Sequence, residues 1–184
     1  MSVFYTDDAR RVKSVAHRHA VKLHRDAVGV EHLALAMIEY GRGSVEEAFF
    51  ALDVTPGEAW KQLELLAVAR PVADSIEEPH SLPYTAGASR VLGLAFEEKR
   101  KLHDDYIGCE HILLALLRHL DDAWAEPELA AELLARLGVD LRRLRQELMS
   151  RIPVDTDRPA KKSTDSIGGL GSMSQILFWA GGDS

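Results

Sequence analysis

The stretch Asp105-Tyr106-Ile107-Gly108-Cys109-Glu110-His111-Ile112-Leu113-Leu114-Ala115-Leu116-Leu117-Arg118 decides how the chain reads. Its centre has already occurred once. Gly29-Val30-Glu31-His32-Leu33 recurs as Gly108-Cys109-Glu110-His111-Ile112, offset by 79 positions. Working outward, Tyr5-Thr6 recurs as Tyr84-Thr85, and Ala9, Val12 and Ala16 recur as Ala88, Val91 and Ala95. Leu23-His24 recurs as Leu102-His103 at the same offset. Farther on, Leu52-Asp53-Val54 recurs as Leu137-Gly138-Val139, now offset by 85. The second copy therefore carries an insertion, placed around Asp121 to Glu128, where polar loop residues tolerate added length.

Each copy has helical periodicity. Ala9, Val12, Val15, Ala16, His19, Ala20 and Leu23 follow three- and four-residue steps and share one helix face. Thr6 is placed to cap that helix, with Asp7 and Asp8 in its first turn. His24 and His103 fall where the helix should stop, and His visits the left-handed region more readily than most residues. A second helix is expected from about Glu31 to Tyr40, burying Leu33, Leu35, Ala36 and Met37. Ser44-Val45-Glu46-Glu47 and Thr55-Pro56-Gly57-Glu58 match capping boxes for a third and a fourth. The second copy predicts helices near 86–102, 110–119, 127–137 and 141–151. No segment has convincing strand alternation. The expectation is an all-α fold of eight helices in two pseudo-symmetric four-helix repeats.

The expected organisation is a domain over 1–152, with repeat one at 4–69, a linker at 70–83 and repeat two at 84–152. The linker carries Pro71, Pro79 and Pro83 among acids, an exposed and extended composition. Residues 153–184 read as a mobile tail of Asp, Ser, Thr, Gly and Lys, interrupted by the apolar segment 176–180. That segment either folds back on the domain or anchors in a partner groove through Phe178 and Trp179.

Composition narrows the function. Among 184 residues, 22 Lys+Arg against 29 Asp+Glu give a net charge of −7, so no fold-wide basic field exists and nucleic acid is not an expected partner. A single cysteine excludes a disulfide framework and a cysteine-based zinc site. No run of 18 apolar residues spans a membrane, and no secretory leader is visible at the N-terminus, so a soluble cytoplasmic protein is expected. No cofactor is called for.

The candidate chemical residues admit ordinary roles first. Glu31 and Glu110 begin helices just after a Gly, where a carboxylate favours the positive end of the dipole. Adjacent Glu and His diverge on a helix, so Glu31-His32 is a poor metal pair and no metal is expected. The repeated His points instead to a structural role, such as a ring hydrogen-bonded to a turn backbone. Cys109 stands at a helix start, which lowers a thiol's pKa, yet its counterpart is Val30, the mark of a packed position. No catalytic residue is assigned, and the chain reads as a non-enzyme.

On these motifs the chain resembles the Clp N-terminal domain family, the double-repeat module at the front of ClpC- and ClpA-type AAA+ unfoldases. The resemblance covers roughly residues 4–151 and rests on the Tyr-Thr openings, the Gly-x-Glu-His-Leu/Ile turns and the Leu-Gly/Asp-Val elements. It departs from the family where Val30 and Cys109 replace a usual Thr, and where the usual Leu-Gly-His becomes Leu23-His24-Arg25 and Leu102-His103-Asp104. No Gly-x-x-x-x-Gly-Lys-Ser/Thr loop occurs, so a free-standing N-domain is expected. The resemblance implies two shallow pockets for arginine-phosphorylated substrates, at Glu31 and Glu110 with Thr6, Thr85, Val30 and Cys109. A carboxylate forks to a guanidinium group, and helix-start N–H groups accept phosphate. The implied partners are a separate Clp ATPase or protease, an adaptor protein, and client proteins or peptides. A structural accessory subunit docking on a Clp protease complex is the alternative.

Overall fold

The computed structural model describes residues 4–68, 82–122 and 129–153. Most of the insertion expected around Asp121 to Glu128, most of the linker and the tail with Phe178 and Trp179 lie outside the described residues. Within them the chain is helical: α1 Asp7–Lys22, α2 Val30–Tyr40, α3 Ser44–Phe50, α4 Pro56–Val68, α5 Ala86–Lys101, α6 Cys109–Asp121, α7 Leu129–Arg136 and α8 Leu141–Arg151. The expected bounds agree to within a turn.

The helix starts form for the anticipated reasons. Thr6 Oγ1 accepts from the Ala9 N–H and Thr85 Oγ1 from the Ala88 N–H, each at 3.2 Å. Thr55 Oγ1 accepts from the Glu58 N–H at 3.3 Å, with Pro56 opening α4. Ser44 is a correction. Gly43 takes the cap position at φ 59, a left-handed value that suits glycine. The Ser44 hydroxyl instead donates to the Arg151 carbonyl of the other repeat at 3.0 Å.

The stops are equally repetitive. His24 and His103 have φ of 52 and 54, the left-handed geometry expected of them. Asp53 at φ 56 and its counterpart Gly138 at φ 71 end α3 and α7 the same way.

Helices α2 and α6 form the centre. They are buried nearly all round, from Val30 and from Cys109 onward, as apolar runs of this kind require. α1 packs on α2, and α5 on α6. The later helices then cross over. α3 of the first repeat packs on α6 and α8, while α7 of the second packs on α2 and α4. The sequence repeats are thus not two separate four-helix bundles; they interlock around one core.

One pair of contacts inverts charge between copies. His19 of α1 meets Glu39 of α2 at 2.7 Å. At the equivalent positions, Glu98 of α5 meets Arg118 of α6 at 3.1 Å. The same helix–helix seam is closed by an acid on α2 in one copy and on α5 in the other.

Asp53→Gly should stabilise the fold by up to ~1 kcal/mol, because a side chain is costly at positive φ. Urea denaturation checks this. A loss of stability would mean that the Asp53 side chain holds the turn.

Candidate functional site

Short backbone pairings set the site. The Thr6 N–H donates to the Ile107 carbonyl, and the Ile107 N–H to the Phe4 carbonyl, both at 2.9 Å. Reciprocally, the Val28 N–H donates to Pro83 O at 2.8 Å and the Thr85 N–H to Val28 O at 3.0 Å. These are parallel bridges, Tyr5 with Ile107 and Val28 with Tyr84. Each repeat's Tyr-Thr opening is therefore held against the other repeat's Gly-x-Glu turn. Thr6 joins Gly108-Cys109-Glu110, and Thr85 joins Gly29-Val30-Glu31. Neither pairing was legible in the sequence, because two residues of extended chain have no alternation to detect.

The glutamates fold back on their turns. A Cβ on Gly29 would lie 2.3 Å from Glu31 Oε2, and one on Gly108 would lie 2.4 Å from Glu110 Oε2. Glycine is thus required to let the carboxylate approach the turn backbone. Glu31 keeps partial exposure, whereas Glu110 is buried. Both threonines are half-buried. Val30 and Cys109 are fully packed, at 0% and 3%, so the cysteine takes the place its apolar counterpart indicated.

The histidines do what their repetition suggested. The Gly29 N–H donates to His32 Nδ1, and the Gly108 N–H to His111 Nδ1, each at 2.8 Å. An Nδ1 that accepts fixes the ring proton on Nε2. Here the copies part. His111 Nε2 lies 2.8 Å from Asp104 Oδ2, a close charge contact without the alignment of a hydrogen bond. His32 Nε2, in a ring 1% exposed, has no acceptor among the described residues. An orphaned buried donor costs about 1–3 kcal/mol. The equivalent of Asp104 is Arg25, whose guanidinium donates to the Ala67 carbonyl at 3.0 Å.

Asp104, Glu110 and His111 place their ligand-type atoms within 4.8 Å of one another, a grouping the sequence spacing concealed. Its protonation does not suit a metal. The Nδ1 lone pair is engaged by the Gly108 N–H, and Nε2 carries the proton facing Asp104, so the ring offers no lone pair to a cation.

His32 is held neutral. Burial pushes its pKa down to about 3, helped by repulsion from His19 and Arg25. His19 is also lowered, first by burial, against the pull of Glu39.

With this geometry in place, the class is a double-repeat helical domain carrying two cross-repeat Thr/Gly-x-Glu clusters. Residues 4–127 match the Clp repeat (R) N-terminal domain, and the chain belongs to that family. It is 30% identical over 162 residues to the negative regulator of genetic competence ClpC/MecB of Bacillus subtilis, covering 88% of this chain and 19% of that protein. It is 32% identical over 146 residues to the chaperone protein ClpB of Oceanobacillus iheyensis, covering 79% of this chain and 17% of that protein. The chain thus spans about a fifth of the length of these curated relatives. The N-terminal domain of the chaperone ClpD of Arabidopsis thaliana superposes with a TM-score of 0.65 at 24% identity, over 80% of this chain and 94% of that one. The Hsp104 N-terminal domain of Candida albicans gives 0.63 at 18% identity, over 79% and 89%. Among the described residues no helix is long and apolar enough to cross a membrane.

Stability should fall with acid through His32. The unfolded chain protonates His near 6.5 and the folded ring only near 3, so unfolding takes up a proton between these values. Stability contributed by the neutral ring is present above 6.5 and is lost as pH drops through that window, by at most ~1.4 kcal/mol per pH unit. His32→Gln keeps an acceptor for the Gly29 N–H and does not titrate. Its urea midpoint should fall less between pH 7 and pH 5 than that of the wild type. Equal slopes would contradict this assignment.

Proposed function

We propose that the chain is a non-enzymatic protein- and peptide-binding module of Clp-dependent protein quality control, presenting substrates or adaptors to a Clp ATPase or protease. Its two clusters would receive phosphorylated arginine, with Glu31 and Glu110 as guanidinium partners. The observation that carries this reading is the cross-repeat construction. Backbone hydrogen bonds hold each Gly-x-Glu turn against the Tyr-Thr opening of the opposite repeat, which supports a site shared between a carboxylate of one repeat and a hydroxyl of the other. A carboxylate meets a guanidinium as a fork, and a helix start favours phosphate. The Thr6 and Thr85 oxygens already accept from their helices, which leaves their hydroxyl protons for a ligand oxygen. Val30 and Cys109 would contribute shape rather than a polar contact.

One observation favours the second reading, a structural accessory subunit docking on a Clp protease complex. Glu110 is buried against its own turn, so engaging a ligand there requires the carboxylate to swing out. In that reading the glutamates only build the turns, and docking survives their removal.

Calorimetric titration of phosphoarginine separates the readings. Wild type should bind, and Glu31→Ala with Glu110→Ala should abolish binding while leaving helical circular dichroism intact. Absence of binding by the wild type, with unimpaired capture of a purified Clp ATPase or protease complex by the double variant, would favour the accessory role.

A further inference from the structure

Helix α1 carries positive charge that the fold around it does not neutralise. It holds five Lys and Arg against two acids, both in its first turn, although the whole chain has a net charge of −7. Arg10 pairs with Asp7. Arg11, Lys13, Arg18 and Lys22 have no carboxylate partner among the described residues. Arg11, Arg18 and Lys22 are exposed, and Lys13 is half-buried. Exposed cations without an acid are ordinary in themselves; Arg100 on α5 and Arg142 and Arg143 on α8 are others. What sets α1 apart is how its two lysines are held. The Lys13 ammonium lies 4.2 Å from the centroid of the Tyr5 ring and 5.9 Å from that of Tyr84. These are bridge residues from opposite repeats, so the fold itself builds the clamp. The equivalent position in the second repeat is Leu92, so packing does not call for a charge there. The Lys22 ammonium lies 3.8 Å from the centroid of Trp60 on α4, whose indole N–H donates to Glu64 at 2.6 Å. On α5, Lys99 lies over Phe96 at 5.7 Å, but Glu97 and Glu98 stand beside it on the same helix.

A ring face attracts an ammonium group without neutralising it. Lys13 and Lys22 have thus given up side-chain freedom while keeping their charge, which lowers the entropy cost of a further contact with an anion. Nine residues separate them, so they flank the exposed face of α1 on opposite edges, about 14 Å apart along its axis. Arg11 and Arg18, seven residues apart, share a row between those edges. We infer that the solvent face of α1 is a docking surface for an acidic segment of a protein partner, whose carboxylates pair with Lys13 and Lys22 at the edges and with Arg11 and Arg18 between them. Charge complementarity selects this occupant. The negative chain repels an extended polyanion such as nucleic acid, whereas a short acidic segment meets mainly the local field, since charges beyond about 10 Å are screened. The surface uses neither Glu31 nor Glu110 and stands apart from the phosphoarginine reading.

The test is NMR of the full chain at pH 7 and constant ionic strength, following the α1 amides and the rings of Tyr5, Tyr84 and Trp60. Blocked hexaglutamate, blocked hexaglutamine and decathymidylate are titrated separately. Hexaglutamate should shift these signals saturably in the wild type, and hexaglutamine should not. Lys13→Gln with Lys22→Gln should weaken hexaglutamate binding at least tenfold. Arg142→Gln with Arg143→Gln changes the net charge equally and should leave it within twofold. Arg11→Gln with Arg18→Gln alters only exposed side chains and should weaken it several-fold, which tests the surface even where loss of Lys13 loosens the fold. No saturable shift with hexaglutamate, or an equal loss in the α8 variant, overturns the surface. Tighter saturation by decathymidylate would assign the face to nucleic acid, and concentration-dependent shifts of the same signals in the protein alone would assign it to a second copy. Either result also overturns an acidic protein partner.

Discussion

The reciprocal pairing of Tyr5 with Ile107 and of Val28 with Tyr84 is the constraint on which the rest of the structure depends. Four backbone hydrogen bonds fasten the opening of each repeat to the middle of the other. They fix where α1 and α5 start, since Thr6 and Thr85 are at once bridge neighbours and helix caps. They also fix where α2 and α6 start, since Val28 and Ile107 immediately precede the Gly turns. One repeat without the other would leave these backbone groups unpaired, and a buried unpaired amide is costly. The crossing of α3 onto α8 and of α7 onto α4 extends the same dependence through the core.

Interlocking of this kind explains why the candidate sites are composite. Each Tyr-Thr opening and the Gly-x-Glu turn it is held against lie far apart in sequence and meet only because the repeats pair reciprocally. Duplication then gives two related sites, and divergence at single positions gives them different character. Arg25 against Asp104 is the sharpest case, and His19–Glu39 against Glu98–Arg118 shows that even a helix seam can exchange its charges while keeping its geometry. Membership in the Clp repeat (R) N-terminal domain family accounts for the frame.

Much of the frame was legible because it rests on local rules. Thr6, Thr85 and Thr55 cap as their positions require, and His24 and His103 take the left-handed stop that the missing glycine leaves to them. The repeated His32 and His111 signalled a ring bonded to a turn, and both bond to one. What escaped was non-local. Ser44 satisfies every local criterion for a cap, but a glycine at positive φ and a carbonyl on α8 outcompete that role. The bridges are too short to print a strand pattern. The approach of Asp104 to His111 needs a side chain from one helix end to meet a ring in the next helix, which spacing alone does not encode.

Native-state hydrogen exchange at four amides, those of Thr6, Val28, Thr85 and Ile107, tests the central dependence most directly. If the reciprocal bridges hold the two repeats together, all four should exchange only through global unfolding, with one common free energy and one common denaturant dependence. Exchange of any of them by local opening, while the α2 and α6 amides stay protected, would contradict the account and reduce the bridges to surface ornaments on an independently assembled core.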